Sequence, residues 1–355
     1  MADFSRFGGV SDEWLAAEKA WTSPMLSQGL SFVELRKVMN KEREEASTKA
    51  MEAFKDLVRM QNHSIATRDG SVIEARSYRP VSAVDEDRLP VFLYLHGGGF
   101  LTGSLDTDDA TCSQICTRAS VVVLHVNYRH TPEHVYPTAW DDAEDGFVWL
   151  HQNIGLLGGH PDKVIVGGIS AGAQLTASLV LGKNMGKVLS EYPAIAGQVL
   201  MIPCLVHLDA YESQLAKLKD PALSSYKQCQ DAPILPAKSI RVFSDLLQLG
   251  TPDPSDLRMS PGNASVEHVR GLPPTTFGVA GVDPLRDEAL LYSELLAEAG
   301  VPTDTYVFEG VPHAFSRFPQ LSQTKRWDAV LSHSVQWSLS RPKQPGASVV
   351  KTEGP

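Results

Sequence analysis

Six short runs, at residues 91–95, 121–126, 163–167, 198–202, 275–280 and 305–308, are mainly apolar without alternating with polar residues, and are separated by stretches of helical length or more. A strand with one wet face alternates apolar and polar residues. A run without alternation is buried on both faces, and helix-length connections between such runs belong to a parallel sheet covered on both sides. Amphipathic stretches at 139–153, 171–181, 286–299 and 325–339 can supply the covering layers. Ahead of the first run, residues 63–67 and 72–78 flank Arg68-Asp69-Gly70-Ser71, which reads as a hairpin turning at Asp-Gly. The pattern predicts an α/β fold: a doubly wound sheet of eight strands, the first two antiparallel to the rest.

Three segments fall outside that alternation. Residues 204–262 are too long for one crossover and carry helical pieces at 215–218 and 240–249, which predicts an insertion above the sheet. Residues 1–60 read as helical, with Ser31-Phe32-Val33-Glu34 in the form of a capping box and Ala46, Ala50, Phe54 and Val58 at four-residue steps. This arm, with Trp14, Leu15, Trp21 and Leu26, cannot bury its own apolar face and is expected to cover a site on the main domain, 61–340. Residues 341–355 are rich in Pro, Gly, Ser and Lys without periodicity and are expected to be a disordered tail.

With 32 Lys and Arg against 42 Asp and Glu, the chain carries a formal charge of −10, which repels polyanions and argues against nucleic acid as a partner. No segment approaches the roughly 18 consecutive apolar residues of a membrane span. The N-terminus lacks a basic stretch leading into an apolar run, so a cytoplasmic protein is expected. Cys112, Cys116, Cys204 and Cys229 are too few for a disulfide scaffold, and Cys112 and Cys116 lack the second ligand pair of a zinc site. No metal is expected.

Gly168-Ile169-Ser170-Ala171-Gly172 follows one buried run and opens a helical stretch, the context of a nucleophile elbow. Glycines allow the sharp turn, and the helix N-terminus favours negative charge beside the serine. A serine hydroxyl needs a base, and the base an orienting carboxylate. His313 stands in the loop after the last run, and Asp283 stands just past the run at 275–280. Asp287 and Glu288 are rivals to Asp283, but acidic residues in a first helical turn are explained by the helix dipole. His96-Gly97-Gly98-Gly99-Phe100 follows the run at 91–95 and lacks the Lys-Ser/Thr ending of a phosphate-binding loop. The N–H groups of Gly98 and Gly99, with that of Ala171, can hold an oxyanion, while His96, Gly97, Gly168 and Gly172 support the two turns.

In these motifs the chain resembles the hormone-sensitive-lipase-like group of α/β-hydrolase carboxylesterases, over roughly residues 60–340. Asn127-Tyr128-Arg129, Pro132-Glu133-His134, Tyr136-Pro137, Ala139-Trp140-Asp141-Asp142-Ala143, Asp283-Pro284-Leu285-Arg286-Asp287-Glu288 and His313-Ala314-Phe315 are similar to that group's further motifs. The resemblance implies the α/β-hydrolase fold with a helical cap built from the arm and the insertion. It also implies ester hydrolysis through an acyl-enzyme on Ser170 with neither metal nor organic cofactor. Two positions depart from the group: Ile169 where Asp is usual, and His130 where an apolar residue is common. The partner expected is a small-molecule ester or metabolite, and a homodimer is left open. Elimination, cyclisation or acyl transfer at the same site is the alternative chemistry. A silent ligand-binding protein is the third reading, against which the presence of His313 counts.

Overall fold

Parity within each buried run decides which way its side chains point, because successive residues of a strand face opposite sides. In the computed structural model, which describes residues 1–21, 29–84, 86–343 and 349–353, β3 (Leu89–Leu95) sends Val91, Leu93 and Leu95 into one core and Phe92 and Tyr94 into the other. The first core is closed by α4 (Thr138–Gln152), α5 (Ala171–Asn184) and α10 (Arg286–Glu298), which contribute Phe147, Leu175 and Leu296. The second is closed by α3 (Asp109–Ala119) and α11 (Ser322–Leu339), through Cys112, Ile115, Trp327 and Val335. Burying each large apolar side chain stabilises the fold by about 1.5–3 kcal/mol, so an uninterrupted apolar run suits a strand held between two such layers.

The sheet order is β1-β2-β4-β3-β5-β6-β7-β8-β9. β1 (Val58–Ala66) and β2 (Val72–Pro80) form the expected hairpin, closed at Ala66 and Val72, with Gly70 at φ 85° and Asp69 accepting from the Ser71 N–H at 3.0 Å. β2 runs antiparallel to β4 (Val122–Asn127). The remaining pairings, through β5 (Gly159–Ile169), β6 (Gly197–Met201), β7 (Thr275–Val282) and β8 (Thr303–Pro312), are parallel. The loops after β3, β5, β7 and β8 therefore leave the sheet at one edge, where open α/β sheets bind ligands.

Among the described residues nine strands are present where eight were expected. The ninth, β9 (Val350–Lys351), comes from the segment expected to be disordered and pairs parallel with β8 at Thr305 and Tyr306. Its anchor is Lys351, whose Nζ lies 2.6 Å from the buried Asp304 carboxylate, a partner invisible in the tail's own composition. The pattern also marked no helix at α3, whose inward face includes the small residues Ala119, Cys112 and Cys116 rather than a stripe of large ones.

The arm divides in two. The first part holds the turn Ser5–Phe7 and α1 (Asp12–Glu18) and lies against the body: Phe4, Phe7 and Trp14 are buried, and short bridges join Ala2 to Leu218 and Val10 to Gly310. Leu15 is exposed, and Leu26 lies outside the described residues. The second part is α2 (Phe32–Met51), which opens with the expected capping box at Ser31 and Glu34. It stops before Val58, which begins β1. Between β6 and β7 the insertion carries α6 (Glu212–Leu215), α7 (Ser225–Gln228), α8 (Ala237–Leu246) and α9 (Val266–Val269). Among the described residues no helix is long and apolar enough to cross a membrane, and the four cysteines are free.

Candidate active site

β5 ends at Ile169, and Ser170 turns the chain directly into α5 with φ 55° and ψ −117°. Such a backbone costs a non-glycine residue about 1–3 kcal/mol and persists only where its surroundings hold it. One restraint is the Ser170 N–H, which donates to the Met201 carbonyl at 2.8 Å. Close packing is another. A Cβ on Gly168 would lie 2.4 Å from the Gly172 carbonyl carbon, and one on Gly172 would lie 2.0 Å from the Leu95 carbonyl oxygen.

Facing Ser170, His313 follows β8 and places Nε2 2.9 Å from the serine Oγ. Its Nδ1 lies 2.6 Å from Asp283 Oδ2, and the other Asp283 oxygen accepts the Leu285 N–H at 2.9 Å. Asp283 is 1% and His313 5% exposed. A buried carboxylate at that distance holds the proton on Nδ1, which leaves the Nε2 lone pair facing the hydroxyl. The structure thus brings together the three residues that the sequence singled out. Its rivals do other work. Asp287 accepts from the Ser225 N–H at 2.7 Å, and the buried Glu288 accepts from the Leu205 and Val206 N–H groups, so both tie the insertion to α10. Burial pushes the Glu288 carboxyl well above the usual range.

The N–H groups of Gly98, Gly99 and Ala171 make no hydrogen bond among the described residues, and all three residues line the cavity that contains Ser170. Gly98 and Gly99 have φ of 147° and 62°, and a Cβ on Gly99 would meet the Phe243 ring at 2.7 Å. From below, the Tyr128 hydroxyl donates to the His96 carbonyl at 2.7 Å, and its ring stacks on that of His96 at 4.3 Å.

Sequence reasoning missed the clamp above this loop. Arg36, Asn40 and Arg43 recur on one face of α2. Arg36 Nε donates to the Leu101 carbonyl at 2.8 Å and Arg43 to the Gly97 carbonyl at 3.2 Å, while the Asn40 side chain donates to the Gly103 carbonyl at 2.9 Å and accepts from its N–H at 2.8 Å. Arg43 also pairs with Asp108 at 2.7 Å; burial opposes ionisation of that carboxyl, but Arg43 and its other partners hold it well below the usual range. The available signal was the spacing of long donors at i, i+4 and i+7, which marks one helix face.

Ser170, His313 and the three free N–H groups open on a cavity of about 500 Å³. Its walls are mostly apolar: Met39, Ala46 and Ala50 from α2, Ile240 and Phe243 from α8, then Leu235, Met259 and Leu285. Ile169, the departure at the elbow, also lines it. His130, the second departure, is instead packed beneath the loop, its ring 5.2 Å from that of His96.

Fold and site define the class of protein: the chain belongs to the alpha/beta hydrolase fold family, whose profile matches residues 92–317. Within it the chain is 37% identical to Esterase LipI of Mycobacterium tuberculosis over 248 residues, 68% of this chain and 71% of that protein. Among solved structures, vibralactone cyclase superposes with a TM-score of 0.84 at 27% identity, covering 96% of this chain and 97% of the cyclase. The hyperthermophilic esterase from the archaeon Pyrobaculum calidifontis superposes with a TM-score of 0.74 at 28% identity, covering 94% and 98%.

Proposed function

We propose that the protein hydrolyses carboxylic esters through an acyl-enzyme on Ser170. The observation that carries this reading is the continuous link Asp283–His313–Ser170, with distances of 2.6 and 2.9 Å, at the floor of an apolar cavity. The Ser170 hydroxyl attacks the acyl carbon while His313 Nε2 takes its proton. Asp283 steadies the imidazolium, and the N–H groups of Gly98, Gly99 and Ala171 receive the oxyanion. His313 then protonates the departing alkoxide. A water, deprotonated by the same nitrogen, attacks the acyl-enzyme and releases the carboxylic acid and free serine. Relatives named as esterases support the reading. A cavity of about 500 Å³ suits small to medium acyl groups. In this reading α2 and the insertion between β6 and β7 act as the cap over the acyl pocket.

The test is turnover of p-nitrophenyl butyrate. Ser170→Ala lowers kcat by about 10⁴- to 10⁶-fold, as in other serine triads, and a fluorophosphonate labels the unaltered protein at Ser170. Turnover by Ser170→Ala equal to that of the unaltered enzyme would overturn the assignment.

One observation favours a second reading, the likeness to vibralactone cyclase at a TM-score of 0.84. An acyl-enzyme whose acyl chain carries its own hydroxyl can pass the acyl carbon to that oxygen instead of water, closing a lactone and freeing Ser170. Mass spectrometry of products from hydroxy esters separates the two outcomes, since the lactone is lighter than the hydroxy acid by one water.

A further inference from the structure

Arg317 closes the short turn Phe315–Arg317, which begins two residues after His313. Two aromatic anchors fix that turn. Phe315 is fully buried with its ring 5.1 Å from Phe308 and 5.4 Å from Trp327, and Phe318 meets Trp14 edge-on at 5.0 Å. Between them Arg317 lines the same cavity as Ser170.

Its side chain makes no hydrogen bond, ion pair or cation–π contact among the described residues. The charged and titratable groups that face it are Arg43, Asp108, Glu42 and Tyr94. Arg43 and Asp108 already neutralise each other at 2.7 Å, Tyr94 donates its hydroxyl to Asp108 at 2.8 Å, and Glu42 forms no ion pair with Arg317. Trp21 also lines the cavity, and residues 22–28, which follow it, contain no Asp or Glu. Arg317 is exposed, and its guanidinium stays charged at neutral pH. Solvated by water rather than paired with a counter-ion, that guanidinium is free to meet a substrate in the cavity, and its planar fork matches a carboxylate.

We propose that Arg317 is a specificity-determining residue that anchors a carboxylate on the substrate, so that the favoured esters are acidic ones carrying an anion apart from the scissile bond. This inference rests on the ester-hydrolase reading. Because the anion can sit on either side of the ester, two matched pairs test it: p-nitrophenyl hydrogen glutarate against p-nitrophenyl pentanoate, and para-butanoyloxybenzoate against its methyl ester. The readout is the ratio of kcat/KM, acidic over neutral, for each pair. The unaltered enzyme favours the acidic member of at least one pair about tenfold or more, with the difference in KM; Arg317→Gln removes about tenfold of that ratio, Arg317→Lys restores part of it, and Arg317→Glu inverts it. A ratio at or below one for both pairs, or a ratio that Arg317→Gln leaves unchanged while circular dichroism shows the variant folded, overturns the proposal. Calorimetry of para-butanoyloxybenzoate and its methyl ester with Ser170→Ala, with and without Arg317→Lys, separates this failure from that of the hydrolase reading. Tighter binding of the acid, weakened by the lysine, supports the anion site even if no ester turns over. Equal binding of acid and methyl ester overturns it.

Discussion

His96, His125 and His130 pack together beneath the loop that carries Gly98 and Gly99, with ring centroids 5.4 Å apart for His96–His125 and 5.2 Å for His96–His130. Burial lowers His96 to about 3 and His125 to about 4, and it takes His130 well below the ordinary 6.5. Asp108 pulls His96 and His125 the other way, but Arg43, and Arg76 for His125, oppose it. Because the folded values lie below the unfolded one, the unfolded chain binds more protons between these limits. The contribution to stability is complete above about pH 6.5 and is lost as pH falls toward 4 and 3, at about 1.4 kcal/mol per pH unit for each histidine. Neither ring nitrogen of His125 has a hydrogen-bond partner among the described residues, and the ring meets Tyr94 edge-on at 5.1 Å, a place a phenyl ring can fill. The variant His125→Phe therefore unfolds at lower pH than the unaltered protein, and its free energy of unfolding falls less steeply between pH 6 and pH 4.5, by about one proton. Urea titrations at several pH values measure this, and identical slopes would exclude His125 as a source of acid lability.

At the scale of elements, the N-terminal arm does two jobs that its sequence reads as one. Trp14 is fully buried against Phe318, the Ser11 hydroxyl donates to the Gly310 carbonyl at 3.0 Å, and Glu13 accepts from the Ser322 N–H at 2.8 Å. These contacts fasten α1 to the end of β8 and the start of α11, so it belongs to the core. Trp14→Ala costs about 3–5 kcal/mol by the usual range for a buried tryptophan, read as a lower urea midpoint with unchanged m. By contrast, α2 lends Met39, Ala46 and Ala50 to the cavity wall and buries only Ser47 fully. Enlarging Ala46 to Phe accordingly shifts kcat/KM against long acyl esters relative to short ones by about tenfold, with little change in melting temperature. A Trp14→Ala protein as stable as its parent, or an Ala46→Phe protein with the parental ratio, would reverse this division.

For the molecule as a whole, the sheet has one edge at β1 and the other at β9, and the latter is a two-residue strand held through Lys351 and Asp304. Removing residues 341–355 uncovers β8 and takes one partner from a carboxylate that keeps the Tyr306 hydroxyl at 3.0 Å. The ion pair is half-exposed, so the loss is about 1 kcal/mol, or a fall of about 2–4 °C in melting temperature, without effect on short-ester kcat/KM. Scanning calorimetry of the truncated chain checks the first figure and a p-nitrophenyl acetate assay the second. A truncated chain that melts with the full one would make β9 dispensable.

Local chemistry was enough to read most of the sheet and the three residues that meet at the site. Two-sided burial writes itself as an apolar run, and Ser170, Asp283 and His313 each follow such a run, in loops that parallel pairing brings to one edge. The same logic read the Asp69-Gly70 turn and the capping box at Ser31, because both are closed within a few residues. Partnerships across long stretches of chain were not legible. Arg36, Asn40 and Arg43 find the loop that carries Gly98 and Gly99 about sixty residues away, Lys351 finds Asp304, and Trp14 finds Phe318. Nothing in the sequence singled out Arg317. Its place in the cavity, and the lack of an ion pair there, depend on which side chains the fold gathers around it. A pattern along the chain records what each segment must bury, whereas the pairing of one segment's charges and donors with another's is decided only when packing sets their distances.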